Sequence, residues 1–438
     1  MLLTRKLRIW PSSEQARVLW DLSEKCRLLY NFTLQERKEN WKYQQDKTKE
    51  NRNYITYLQQ SKTLPAIKQK YPEYKWVYSK VLQQVMKKLD ENFRSFFSLY
   101  KRGDCSARPP RFKGKNHFFT LCYNQSGFKI AENNLHLSHK HPSKTPLKFT
   151  LPIPFNCTHP IKQVEIKHDT RDKWFACIIF EIESPPYQDN GLYQAIDLGI
   201  SNLVSAVNLQ FKFIQVKNRR ADLYWKKKLE EVQSRRDHCK MFSHRWNFYN
   251  QKLIQMKRKC ADQMHDFQHK ISHQIVMNTR ANTIIIGDLN VKQMAKRRKG
   301  TGNGRKTKAR KTLNHSMQNT GSLGRFAQFL TYKAEMAGKR VIRIDESYTS
   351  QQCCACQKRV KRALSERDIQ CDCGHQMDRD LNSAVNIMER FLKQKSQFEF
   401  LLQQPSMTEE SFRKRLDLLR QTAPSSHHAG DGGLVVSG

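Results

Sequence analysis

No stretch of about 18 consecutive apolar residues occurs in the 438-residue sequence, and a bilayer-crossing helix needs at least that many. The opening MLLTRKLRIWPSSEQ has neither the apolar core nor the small-residue cleavage site of a signal peptide. A cytoplasmic, nucleoid-associated protein is therefore expected. Acidic residues are scarce: 40 Asp+Glu face 79 Lys+Arg, a formal net charge of +39. Lys and Arg neutralise phosphates and release condensed counterions, so nucleic acid is the expected partner. No internal repeat is visible. The length allows two or three domains.

A cysteine framework spread through the chain, as in small secreted folds, is also missing. Of the 12 cysteines, seven are scattered and five crowd between Cys353 and Cys373. Cys353-x-x-Cys356 is followed by Cys371-x-Cys373-Gly374. Two close pairs on tight turns can set four thiolates at tetrahedral corners, so a structural Zn²⁺ is expected on Cys353, Cys356, Cys371 and Cys373. Cys354, beside the first ligand, and His375 are alternative ligands. The basic knuckle residues Lys358, Arg359, Lys361 and Arg362 suggest contact with nucleic acid.

Hydrophobic periodicity divides the rest. Residues 11–107 read as helical, with Leu19, Leu22, Cys26, Leu29 and Tyr30 in one stripe and Val77, Val81, Val85, Met86, Leu89 and Phe93 in another; both are core stripes. Ser12 or Ser13 caps the first helix. RPPRFKGK at 108–115 breaks helix and adds four positive charges, and alternating strands follow to about residue 190, with residues 1–10 as a further strand. SPPYQDNG at 184–191 reads as a linker. Beyond it come three close strands, a long charged helix over 219–279, a buried strand TIIIGDLN, a helix near 322–337 and the strand KRVIRIDE. Three antiparallel strands followed by α/β units is the order of an RNase H-like fold. Residues 292–312 hold ten Lys or Arg and no acid, and are expected to be disordered without ligand. So is the low-complexity tail at 422–438.

Within that order, acids stand where strands end. Asp197 closes the apolar strand YQAID, a costly place for a carboxylate that is neither paired nor metal-bound. Asp380 opens a helix in DRDLNSAVNI, with Asp378 competing for either the capping role or the site. Carboxylates gathered at strand ends can hold two Mg²⁺ about 4 Å apart, one activating water and the other stabilising the leaving 3′ oxygen.

Taken together these segments resemble the TnpB family, transposon-encoded RNA-guided DNA endonucleases related to type V CRISPR effectors and to Fanzor proteins. The likeness rests on LRIWPSSEQ, CRLLYNFTLQER, RPPRFKGK with NQSGF, AIDLGISNLVS, IIIGDLNVKQMAK and the block ESYTSQQC–CAC–CDCG–DRDLNSAVNI. It implies an α+β multidomain chain. A wedge-like β-barrel domain would comprise 1–10 with 108–190, and a helical recognition domain 11–107. A RuvC nuclease domain would comprise 191–349 with 377–421, and a zinc knuckle would be inserted at 350–376. It implies a guide RNA from the transposon end, double-stranded target DNA with a short adjacent motif, Mg²⁺-dependent cleavage and a monomeric ribonucleoprotein. Arg108, Arg111, Phe112 and Lys113 match a family motif suited to gripping and stacking on RNA. Lys296, Arg297 and Arg298 are further nucleic-acid candidates.

One position departs from the family pattern: Gly287 stands where a Glu is usual. Three readings follow. The third carboxylate comes from Glu346, just past the strand VIRID, giving a set of Asp197, Glu346 and Asp380. Asp288 substitutes, although adjacent strand residues face opposite sides. Or the chain is a nuclease-dead RNA-guided repressor. A transposase joining DNA ends is a further, less favoured class.

Overall fold

The computed structural model describes residues 1–104, 106–124, 126–152, 159–288, 323–360, 366–401 and 435–436. The basic segment with Lys296, Arg297 and Arg298 lies outside the described residues, as do Lys361, Arg362 and all of the tail except Val435 and Val436. The chain divides into two compact units, Met1–Glu183 and Ser184–Gly438. Among the described residues no helix is long and apolar enough to cross a membrane.

In the first unit, strand β1 (Leu2–Ile9) runs into helix α1 (Ser13–Gln45). Ser12 caps α1: its hydroxyl accepts from the Gln15 amide, and the Gln15 side chain reaches back to the Ser12 amide. Two short helices follow, α2 (Tyr57–Lys62) and α3 (Leu64–Lys70), then the long α4 (Ser79–Lys101). Apart from the half-buried Phe93, the stripes read from sequence are buried, with Leu19, Leu22, Cys26 and Leu29 of α1 and Val81, Val85, Met86 and Leu89 of α4 in one core. Five strands lie between α4 and β7 (Trp174–Glu181): β2 (Leu121–Asn124), β3 (Phe128–Ala131), β4 (Asn134–Leu137), β5 (Leu147–Thr150) and β6 (Ile161–His168). They form one sheet in the order β1-β7-β6-β2 and another in the order β3-β4-β5.

The second unit holds a mixed sheet. Its strands are β8 (Tyr193–Asp197), β9 (Asn202–Asn208), β10 (Phe213–Lys217), β11 (Thr283–Gly287), β12 (Arg340–Ile344) and the two-residue β15 (Val435–Val436). Their order is β12-β11-β8-β9-β10-β15. β8, β9 and β10 are antiparallel, and β11 and β12 run parallel to β8. This is the RNase H-like arrangement expected from the sequence. Helices α5 (Ala221–Asp237), α6 (His244–Asn278) and α7 (Leu323–Met336) precede β12. A hairpin of β13 (Asp368–Gln370) and β14 (Gln376–Asp378) leads into α8 (Arg379–Leu401).

The sheet is covered on both faces, which explains the unbroken apolar run TIII. Ile284 and Ile286 pack with Phe326, Leu330 and Ile275 from α7 and α6. Ile285, pointing the other way, joins Ala384, Val385 and Met388 of α8. Because β8, β11 and β12 are parallel, their C-terminal ends lie along one edge.

Two expectations change. The helix expected over 219–279 is two helices, broken after Asp237 and restarted at His244. Phe242 turns there with φ 63°, and the Ser243 hydroxyl caps α6 by accepting from the Trp246 amide. The segment 184–191 is not a free linker. Tyr187 bonds Thr283 at 2.7 Å, and the Asn190 amide group bonds the backbone of Arg280 and Asn282.

Candidate active site and metal centre

Asp197 ends β8, Gly287 ends β11, and Glu346 lies two residues beyond Ile344, the last residue of β12. Register places Gly287 opposite Ile344. Glu346 folds back over the glycine: a Cβ built on Gly287 would fall 1.9 Å from Glu346 Oε2 and 2.9 Å from its Cβ. That oxygen is buried with no hydrogen-bond partner among the described residues. Asp288 donates its amide to the Ile344 carbonyl at 2.7 Å, while its side chain is exposed, 3.9 Å from Arg343.

The third acid comes from the helix that covers this edge. Asp378 Oδ1 accepts the amides of Asp380 and Leu381 at 2.9 and 3.0 Å and the Gln215 side chain at 2.8 Å. Asp378 therefore caps α8, which frees the buried Asp380 to face the strand ends. Asp380 Oδ2 accepts from Asn202 Nδ2 at 3.0 Å, with Arg367 at 3.8 Å and Arg379 at 3.7 Å from its two oxygens. Asn202 and Arg367 were not singled out from sequence. Asn202 stands five residues after Asp197, where the AIDLGISN turn brings it back to the same edge.

Burial drives the Asp197 carboxyl well above the ordinary range, and the charges of Glu346 and Asp380 push it further the same way. Burial likewise raises Glu346 to about 7, helped by Asp288 and Asp345. These acids therefore sense one another in a poorly hydrated edge with too little positive charge to offset them. Carboxylates held so, one with a bare buried oxygen, are the hard donor set that a divalent cation satisfies. They form a looser array than a single-ion cage. Among the described residues, the cysteine quartet is what brings ligand atoms all within 4.8 Å of one another.

Cys353, Cys356, Cys371 and Cys373 make up that quartet. Cys353 and Cys373 sulfurs are 3.8 Å apart, and those of Cys356 and Cys371 3.5 Å. Tetrahedral Zn–S bonds of about 2.3 Å put sulfurs about 3.8 Å apart, so the quartet fits zinc. Gly374 turns at φ 84°, and its amide bonds the Cys371 carbonyl at 2.9 Å. Cys354 and His375 pair with each other instead, sulfur to Nε2 at 3.3 Å, with Cys354 packed in the core beneath α8. Of the knuckle cations, Lys358 pairs with Asp372, and Arg359 lies over the Tyr348 ring at 3.4 Å.

In the first unit, the segment with Arg108, Arg111, Phe112 and Lys113 has no regular secondary structure and is largely exposed. Helix α1 pins its backbone. Asn31 accepts the Lys113 amide at 2.8 Å, and Arg27 and Asn31 donate to the Lys113 carbonyl at 2.7 and 2.9 Å. Lys38 stands 4.3 Å from the centre of the Phe112 ring, which is 47% exposed. Arg27 and Asn31 were also missed from sequence, although their spacing of four puts them on one helix face.

Three family models match in order along the chain. "Helix-turn-helix domain" covers residues 1–46, "Probable transposase" covers 164–298, and "Cas12f1-like, TNB domain" covers 324–387. The first of these segments is here one strand and one long helix. A protein of Streptomyces pristinaespiralis that bears the description RNA-guided DNA endonuclease is 27% identical over 389 residues, 87% of this chain and 88% of its own. TnpB-like protein L79 of Acanthamoeba polyphaga mimivirus is 32% identical over 148 residues, 33% of this chain and 26% of the relative. The solved structure of a Cas12f1–sgRNA–target DNA complex matches with TM-score 0.58 at 10% identity, over 88% of this chain and 98% of that one; at that identity the likeness concerns the fold. The three models in sequence order, a relative aligned over most of both chains, and an RNase H-like sheet followed by a four-cysteine knuckle together support a TnpB-type protein.

Proposed function

We propose that this protein is an RNA-guided DNA endonuclease that cuts double-stranded target DNA by divalent-metal hydrolysis. The observation that carries the reading is the electrostatic coupling of the buried Asp197 to Glu346 and Asp380, with Glu346 Oε2 lacking a hydrogen-bond partner among the described residues. Two metals about 4 Å apart spread their ligands over more than one ion's reach, which suits an array looser than a single-ion cage. In this reading Asp197, Glu346 and Asp380 hold magnesium. Bound there, the magnesium pair supplies Lewis-acid activation of water and stabilises charge on the leaving 3′ oxygen. Asn202 orients the Asp380 carboxylate, and Arg367, reaching Ser201 at 2.6 Å, adds positive charge where a phosphate would approach. The cysteine quartet holds a structural zinc.

The net charge of +39 and the description borne by the Streptomyces relative support nucleic acid as partner. The Cas12f1 chain of like fold was solved in complex with sgRNA and target DNA, which supports a guide RNA with target DNA in particular. Arg108, Arg111, Phe112 and Lys113 offer cations and an open aromatic face to RNA, and Lys296, Arg297 and Arg298 are further candidates to contact nucleic acid. The β strands of the first unit are assigned as the wedge-like domain and its helices as the recognition domain.

The test is cleavage of target DNA by the protein purified with its co-bound RNA, with and without Mg²⁺. Asp197→Asn and Asp380→Asn should abolish cleavage by orders of magnitude while guided binding persists. Guided binding with no cleavage by the unsubstituted protein would establish the repressor reading instead. Joined DNA ends would point to a transposase.

A further inference from the structure

The helix that carries Asp380 also grips the segment that carries Glu346. Asn382, Asn386 and Arg390 are spaced by four residues along α8 and so share one face. All three bond to the backbone of residues 345–354. Arg390 donates Nη1 to the Asp345 carbonyl at 3.0 Å and Nη2 to the Ser347 carbonyl at 2.8 Å, one on each side of Glu346. Asn386 Nδ2 donates to the carbonyls of Thr349 and Gln352, both at 2.8 Å. Asn382 Nδ2 donates to the same two carbonyls, and its Oδ1 accepts the Cys354 amide at 2.8 Å. Thr349 closes the turn, its amide and hydroxyl donating to the Glu346 carbonyl at 3.2 and 3.0 Å.

A residue inside a strand takes its side-chain direction from the pleat. Glu346 lies past the end of β12, where ladder bonds no longer fix the backbone. Its side chain must nevertheless stay in the narrow space over Gly287. Something else has to set the peptide planes at 345 and 347, and the guanidinium of Arg390 bonds both. Its rigid fork spans the two acceptors at once, which a lysine ammonium does poorly.

We propose that Arg390 is a positioning residue for the third carboxylate, fixing the backbone on both sides of Glu346 so that its oxygens face the metal site. The inference rests on the reading of Glu346 as a magnesium ligand given above. It assigns to α8 two duties: one acid of the site directly, and another through its arginine.

The experiment uses the full chain with its bound RNA and measures target cleavage against Mg²⁺ concentration. Arg390→Gln should raise the Mg²⁺ needed for half-maximal cleavage by about tenfold or more, the usual cost of losing an outer-shell support. Melting temperature, zinc content and metal-free guided DNA binding should stay at wild-type values. Arg390→Lys should fall between. A second background separates positioning from general support: Gly287→Glu with Glu346→Gly moves the acid onto β11, inside the ladder. There Arg390→Gln should leave the Mg²⁺ requirement unchanged; should that background not cut, the graded order Arg, Lys, Gln carries the test.

An unchanged Mg²⁺ requirement for Arg390→Gln in a protein that cuts would overturn the proposal. So would an equal penalty in both backgrounds, or a loss seen in melting temperature alone. A wild-type protein that binds guided DNA and never cuts would overturn the nuclease reading itself, and this inference with it.

Discussion

Gly287 and Glu346 share one space: a Cβ on the glycine would lie 1.9 Å from the glutamate's Oε2, 2.8 Å from its Cδ and 2.9 Å from its Cβ. The glycine at the end of β11 is thus the steric complement of an acid delivered from the neighbouring strand. A flexible carboxylate tip could swing away from an added methyl, but the close approach to the Glu346 Cβ means that its backbone would have to move too.

Gly287→Ala should therefore behave as an active-site substitution that introduces no charge. Overpacking of this kind costs about 1–3 kcal/mol, so the chain should still fold and bind guided DNA. Cleavage should fall as far as it does for Glu346→Ala. Gly287→Glu with Glu346→Ala, which restores an acid and removes the obstruction, should recover part of it. Normal cutting by Gly287→Ala would show that Glu346 is not held over the glycine for catalysis.

Burial, Asp288 and Asp345 raise the Glu346 carboxyl from 4.5 to about 7, which fixes the sign of a stability effect in magnesium-free protein. A raised carboxyl binds its proton more tightly in the folded than in the unfolded chain. Its contribution is complete below 4.5 and is lost as pH climbs through about 7. Glu346→Gln carries no such proton and also relieves Asp197 of a neighbouring charge. Its melting temperature relative to wild type should rise by a few degrees across that window and then level off. Saturating Mg²⁺ should reverse the order, because the wild type alone gains a full ligand set. A difference flat with pH would show that Glu346 is ordinarily ionised.

Asp378 and Asp380 should separate cleanly. Asp378→Asn keeps the Oδ1 that accepts the Asp380 and Leu381 amides and Gln215, so cleavage should stay within a few-fold of wild type. Asp378→Ala removes the cap and should cost about 1 kcal/mol of stability. Asp380→Asn should leave melting nearly unchanged and abolish cutting. Equal loss of cutting in both Asn variants would put Asp378 among the ligands.

The reasons some of this was legible in sequence are local. Buried parallel strands write themselves as apolar runs, so β8 and β11 could be placed, and Asp197 with them. Paired cysteines on turns announce their quartet by spacing alone. Glu346 could be reached because β12 had to neighbour β11, which is a statement about topology. Asp378 and Asp380 could not be told apart, since which one caps depends on where each oxygen points. Nor could Arg390 be found, because side chains that bond backbone carbonyls leave no partner residue to recognise. The break between α5 and α6 was missed since its residues, Cys239 to Phe242, interrupt a charged stretch without proline or glycine. Cys354 looked exchangeable with Cys353 in sequence; in the fold the two face opposite ways.

Zinc should matter to cutting through geometry, by way of the chain segments that the quartet ties together. Cys353 is one residue from Cys354, whose amide bonds Asn382 on α8, and the β13–β14 hairpin runs directly into Asp378 and Asp380. The quartet thus ties both chain segments that feed the acid edge. Structural zinc binding is worth about 10–16 kcal/mol in small domains, so loss of one thiolate should free the knuckle and loosen both segments. Cys356 is exposed and sits in no core, which makes Cys356→Ser the cleanest variant. Its zinc content, measured by atomic emission, should drop from one per chain to near zero. Its cleavage should then fall along with an increased Mg²⁺ requirement, as expected if Glu346 and Asp380 have lost their register. A variant that has lost its zinc yet cuts at the wild-type Mg²⁺ concentration would mean that α8 alone, through Asn382, Asn386 and Arg390, suffices to hold the edge together.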